Sequence, residues 1–122
     1  MNRDESVYLQ HILDAINWIE DYLTDITEEI FHQQHLVQDG VIRQLEIIGE
    51  AVKNLSPELR EVNPHIPWQD IAGTRDKLIH NYFGVDIEKV WLMTQDDIPP
   101  LKLDIIDILQ KTDSAEETDG QI

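Results

Sequence analysis

The chain has 122 residues, 25 of them acidic and 9 basic, giving a formal net charge of -16, with 41% hydrophobic residues and no cysteine. That length supports one hydrophobic core and the composition is globular, while the missing cysteine excludes disulfides, thiolate metal sites and cysteine nucleophiles. The acidity disfavours nonspecific binding to polyanions, because the mean field repels phosphate. Asp4 and Glu5 stand where a signal peptide would be basic, and no apolar run approaches the roughly 18 residues of a membrane span. A soluble, cytoplasmic protein is the expectation.

The periodicity is helical nearly throughout. Val7, Leu9, Ile12, Leu13, Ile16, Ile19 and Leu23 recur at steps of three and four, which predicts a first helix of about five turns. Ser6 or Asp4 is its expected cap. A short helix should follow from Thr27, where Glu28 and Glu29 suit the positive end of the helix dipole. Asp39-Gly40 reads as punctuation before a third helix lined by Val41, Leu45, Ile48, Val52 and Leu55. Gly49 within it points to close packing by another helix or a symmetry mate. Ser56-Pro57 reads as a cap followed by proline at the first helical position. Asn63 to Pro67 is an irregular crossing. The next helix carries Trp68, Ile71, Ala72, Leu78 and Ile79 and ends near Gly84. Asp86 is the expected cap of a helix bearing Val90, Trp91 and Met93, which Ile98-Pro99-Pro100 should break. A last helix is expected from about Leu101 to Gln110. The predicted architecture is all-α, an up-and-down antiparallel bundle of four to five helices over residues 1–111, with an acidic, disordered tail at 112–122.

The run Arg75-Asp76-Lys77-Leu78-Ile79-His80-Asn81-Tyr82 stands out on so acidic a chain. Arginine offers a permanent cationic fork suited to phosphate, histidine moves a proton near neutral pH, and tyrosine adds a hydroxyl and a stacking face. Helix geometry sets Arg75 and His80 about 140° apart around the axis and about 7.5 Å apart along it. One helix alone makes no pocket, but a two-fold axis would bring two copies of each into one groove. Surface and capping roles account for such a trio as well. Glu28, His32 and His35 share a short helix without forming a metalloprotease pattern, so a solvated face is expected and no metal or cofactor. Trp18, Trp68 and Trp91 are expected in the core.

Three segments then match jointly and in order: Val41-Ile42-Arg43-Gln44-Leu45-Glu46-Ile47-Ile48-Gly49-Glu50-Ala51, Ile66-Pro67-Trp68, and Ile71-Ala72-Gly73-Thr74-Arg75-Asp76-Lys77-Leu78-Ile79-His80-Asn81-Tyr82-Phe83. Together they resemble the HepT-like branch of the HEPN superfamily, over about residues 8 to 110, with Pro99-Pro100-Leu101 at that family's proline break. The resemblance implies an all-helical, dimeric toxin of a prokaryotic toxin–antitoxin pair. The activity implied is that of a metal-independent endoribonuclease, and the partner a small nucleotidyltransferase-fold antitoxin. Carried over, Arg75 and His80 would be catalytic, and Tyr82 would complete the motif and receive nucleotidyl groups. Asp76 would orient Arg75 or His80, with Lys77 as an auxiliary phosphate contact. The rival expectation is a non-catalytic module that binds a nucleotide or a partner.

Overall fold

The computed structural model describes the backbone of residues 3–80 and 86–120 and the side chains of residues 5–74 and 86–111. Those residues form helices α1 (Arg3–Tyr22), α2 (Glu28–Gln33), α3 (His35–Lys53), α4 (Pro57–Glu61), α5 (Trp68–His80), α6 (Ile87–Leu92) and α7 (Ile98–Gly120), with a π-helical turn at Met93–Asp97 between the last two. The fold is all-α, as expected, and no strand occurs among the described residues. None of the described helices is long and apolar enough to cross a membrane.

The apolar spacing explains the packing. Leu9, Ile12, Ile16 and Ile19 form a fully buried stripe on α1, and Val41, Leu45, Ile48 and Val52 form its counterpart on α3. α3 is the central element, packed on α1 along one side and on α5 along the other, while α1 also packs on α7. Helices α7, α1, α3 and α5 therefore follow one another around the bundle. Leu101, Ile105 and Ile108 supply the buried face of α7. Phe31 of α2 is fully buried and lies against the Trp91 ring, with centroids 5.3 Å apart. Its carbonyl accepts a 2.9 Å hydrogen bond from the buried Gln38 side chain, which satisfies a polar group that would be costly to leave unpaired there.

The caps follow residue chemistry. Thr27 accepts from the Ile30 N–H, Ser56 from Leu59 with Pro57 in the first turn, and Asp86 from Lys89. The α1 cap differs from expectation: the helix already holds Arg3, so Asp4 and Ser6 lie inside it. Glu5 instead reaches across the fold to accept from the Ser56 N–H at 2.6 Å, which ties the start of α1 to the α3–α4 turn. In the link from α1 to α2, Asp25 has a φ of 60°. Aspartate tolerates that left-handed conformation better than most residues because its short polar side chain bonds locally.

Two expected breaks are not breaks. Gly40 lies inside α3, and a Cβ there would stand 3.2 Å from the Tyr22 ring. The glycine serves a close approach of α1 rather than a turn. Pro99 and Pro100 open α7 instead of separating two helices. Proline has no N–H, so the carbonyls four residues earlier lose their usual donors. The wider π turn accommodates this, with the Ile98 N–H bonding the Met93 carbonyl. α7 also continues past Gln110, to Gly120. Trp68 is buried and Trp91 packs on the core, but Trp18 is 52% exposed and stacks on Tyr22. Val7, expected on the apolar face of α1, is also exposed.

Candidate active site

Helix α5 positions the cationic motif, and its start is held firmly. Trp68 is buried, and its indole N–H donates to the Asn63 carbonyl at 3.0 Å. Its backbone N–H donates to Ile66 at 2.8 Å, which closes the turn that launches the helix. Ile71 and Ala72 pack against the core, and the Thr74 hydroxyl donates back to the Asp70 carbonyl. The backbone of α5 then carries Arg75, Asp76, Lys77 and His80 through its last turns. Arg75 and His80 thus share one helix seated on α3. The side chains of those four residues, and Tyr82 and Gly84 altogether, lie outside the described residues.

Beside this helix is an open cleft of about 510 Å³. It runs between the first half of α5, the π turn and the start of α7, where α5 and α7 form no extensive contact among the described residues. Leu45 and Ile48 of α3, with Ile66 and Leu101, form an apolar floor. Asp70, Asp96, Asp97 and Asp104 line it with His65 and Lys89. His65 stands 3.3 Å from Asp104, a contact that is an ion pair when the imidazole is protonated. The Asp97 carboxyl is held above the usual carboxylate range, first by burial and then by the charges of Asp96 and Asp70.

The sequence did not reveal this cleft. Its acids come from three separate segments, and only Asp96-Asp97 before Ile98-Pro99-Pro100 hinted at an unusual turn. The histidine pair also resolves differently from expectation. His32 is on α2 and His35 opens α3, so they do not share one short helix. Among the described residues, no three His, Cys, Asp or Glu side chains gather as metal ligands would. Asp86, a residue that would weigh on the charge of a groove near His80, spends its carboxylate on the α6 cap.

Comparison with known proteins now bears on the motif. A match to the HepT-like family, described as ribonuclease HepT-like, spans residues 12–108. A Thermococcus cleftensis protein named "Probable ribonuclease HepT" is 46% identical over 102 residues, covering 84% of this chain and 93% of the relative. A Caldanaerobacter subterraneus protein named as a "Putative RNase" is 44% identical over 104 residues, covering 85% of this chain and 93% of that protein. A Methanocaldococcus jannaschii protein named "Gamma-glutamylcyclotransferase and putative RNase" is 49% identical over 113 residues, but there the chain spans only 51% of the relative's length. No solved structure matches. With four-fifths of its length inside the family match, this chain belongs to the HepT-like ribonuclease family.

Proposed function

We propose that this protein is a metal-independent endoribonuclease toxin of a prokaryotic toxin–antitoxin pair, acting as a homodimer. The observation that carries the reading is the family match over residues 12–108 together with the Arg-x4-His-x-Tyr order of Arg75, His80 and Tyr82, the first two of which lie on the last turns of α5. The reaction is attack of a 2′-hydroxyl on the adjacent phosphorus with departure of the 5′-oxygen, leaving a 2′,3′-cyclic phosphate. It needs a proton acceptor at the attacking oxygen, a proton donor at the leaving oxygen and cationic stabilisation of the phosphorane. One chain supplies a single motif histidine. A two-fold dimer supplies two, with Arg75 on the phosphate and Lys77 as an auxiliary contact. Asp76 would orient Arg75 or His80.

The proposed partner is a nucleotidyltransferase-fold antitoxin that silences the toxin, with Tyr82 as the modified residue. A nucleotidyl group there adds bulk and a phosphodiester anion that competes for Arg75. The second reading is a non-catalytic partner- or nucleotide-binding module, and the net charge of -16 favours it.

A labelled RNA incubated with the protein in excess EDTA separates these readings. Cleavage that leaves cyclic phosphate ends, and that falls about 10²–10⁴-fold in His80→Ala, is the expected result. Arg75→Lys should also be impaired, because an ammonium does not reproduce the guanidinium fork. Activity that appears only with an added divalent ion would overturn the proton-transfer scheme, and no cleavage under any condition would favour the binding module. For Tyr82, intact mass after coexpression with a nucleotidyltransferase antitoxin should show an added nucleotidyl group that Tyr82→Phe lacks.

A further inference from the structure

The seam between α5 and α7 combines an apolar floor with an acidic rim, and the described part of the fold leaves it open. Leu92 stands at its mouth and is 47% exposed. Beneath it, Ile48 and Leu101 are core residues whose upper faces line the cleft. Asp70, Asp96, Asp97 and Asp104 contribute four carboxylates from α5, the π turn and α7. Among the described residues Lys89 is the one lysine or arginine that lines the cleft, and His65 is already engaged with Asp104.

We propose that this cleft is a docking groove for a segment of a partner protein in which apolar and Lys or Arg side chains alternate. The apolar side chains would take the floor and cover Leu92, and the cations would take the rim. Such complementarity sets specificity and encounter rate as well as affinity. A volume of about 510 Å³ holds a few side chains of a peptide. The field argues against RNA as the occupant, because four aspartates would face its phosphates. It also argues against the chain's own acidic C-terminal residues. Burial first, and then the charges of Asp96 and Asp70, hold the Asp97 carboxyl above its ordinary range. Because Asp70 and Thr74 sit on α5, an occupant would lie on the helix that carries Arg75 and His80. The proposal does not depend on ribonuclease activity.

The test uses the full-length protein and a fluorescein-labelled nine-residue peptide of alternating Leu and Lys, followed by fluorescence anisotropy. A Ser/Lys peptide of equal charge and a nine-nucleotide RNA serve as comparison ligands. Asp96→Asn with Asp97→Asn should weaken Leu/Lys binding about tenfold, on the scale expected when partners of desolvated cations are removed. Glu28→Gln with Glu29→Gln on α2 changes the net charge equally and should weaken it less than about twofold. Equal weakening by both pairs would reduce the effect to bulk charge and overturn the proposal. Equal affinity for the Ser/Lys peptide would also overturn it, as would displacement of the Leu/Lys peptide by the RNA. Circular dichroism verifies the fold of each variant. RNA cleavage measured in parallel should be unchanged in the Asp96/Asp97 pair, so failure here and failure of the ribonuclease reading are distinguishable.

Discussion

The α1–α3 seam and the α5–α7 seam lie in one small bundle but are built on opposite principles. At the first, branched apolar residues interlock at helical spacing, and Gly40 lets the Tyr22 ring approach the α3 backbone. At the second, Pro99 and Pro100 force a wide turn, and the residues facing the gap are largely aspartates over an apolar floor. Burying apolar area stabilises the first seam by roughly 25 cal/mol per Å². Among the described residues, four aspartates against one lysine oppose closure of the second. The contrast teaches that α1 and α3 close on each other through apolar bulk, while among the described residues α5 meets α3 but leaves a cleft toward α7.

The sharpest way to break that comparison is a cavity in the closed part. Phe31→Ala removes a fully buried ring that packs against Trp91, and should cost about 3–5 kcal/mol in denaturant unfolding. Leu92→Ser at the mouth of the open seam should fall within about 0.5 kcal/mol of the parent. Similar losses at both sites would mean that the second seam is closed in solution.

A smaller effect is expected at Gln38. Gln38→Leu removes the hydrogen bond to the Phe31 carbonyl, which keeps its bond from the Gln34 N–H, a loss of about 0.5–1.5 kcal/mol. No change would show that water reaches the α2–α3 junction.

Two of the helical glycines, Gly40 and Gly73, sharpen the contrast further. A Cβ at Gly73 meets nothing within 4 Å, whereas one at Gly40 crowds Tyr22. Gly73→Ala should therefore stabilise the isolated chain by about 0.5–1 kcal/mol through helix propensity. Gly40→Ala should gain less, because the Tyr22 ring must shift. A destabilised Gly73→Ala would indicate another chain pressed against α5.

The smallest effect is electrostatic. Asp97 has a carboxyl pKa raised above its ordinary value of 3.8, so the folded state binds its proton more tightly than the unfolded state does. Its contribution to stability is favourable below the unfolded value and is lost as pH rises through that value toward the folded one. Asp97→Asn should thus raise the melting temperature slightly at neutral pH, with the gain fading as pH falls through the raised folded value and gone below about 3.8. A gain that persists undiminished at low pH would exclude relief of charge as its cause.

Much of the fold was legible because its causes are local. The apolar spacing of Leu9, Ile12, Ile16 and Ile19 marks a helix wherever it lies, and Thr27, Ser56 and Asp86 cap helices through bonds three residues long. The motif Arg75-x4-His80-x-Tyr82 and the HepT-like resemblance were equally plain in the residue order, and the family match bears out the resemblance. Other features depend on what stands opposite. Gly40 read as a turn because its reason is the ring of Tyr22, eighteen positions earlier. Trp18 read as core, yet it is half exposed on α1 and stacks on Tyr22. Pro99 and Pro100 read as a break, since no local rule says that a π turn will absorb two missing donors. The acidic cleft is the plainest such case. Asp70 is far in the chain from Asp96 and Asp104, and the three become a single charged rim only when α5 and α7 are folded onto the two sides of α3 and α1. Sequence by itself determined the all-helical fold, the caps at Ser56 and Asp86 and the family, because those follow from residue order and neighbours three or four residues away. Tertiary packing alone decided which seam closes and which stays open, because that follows from the charge and bulk that distant helices bring together.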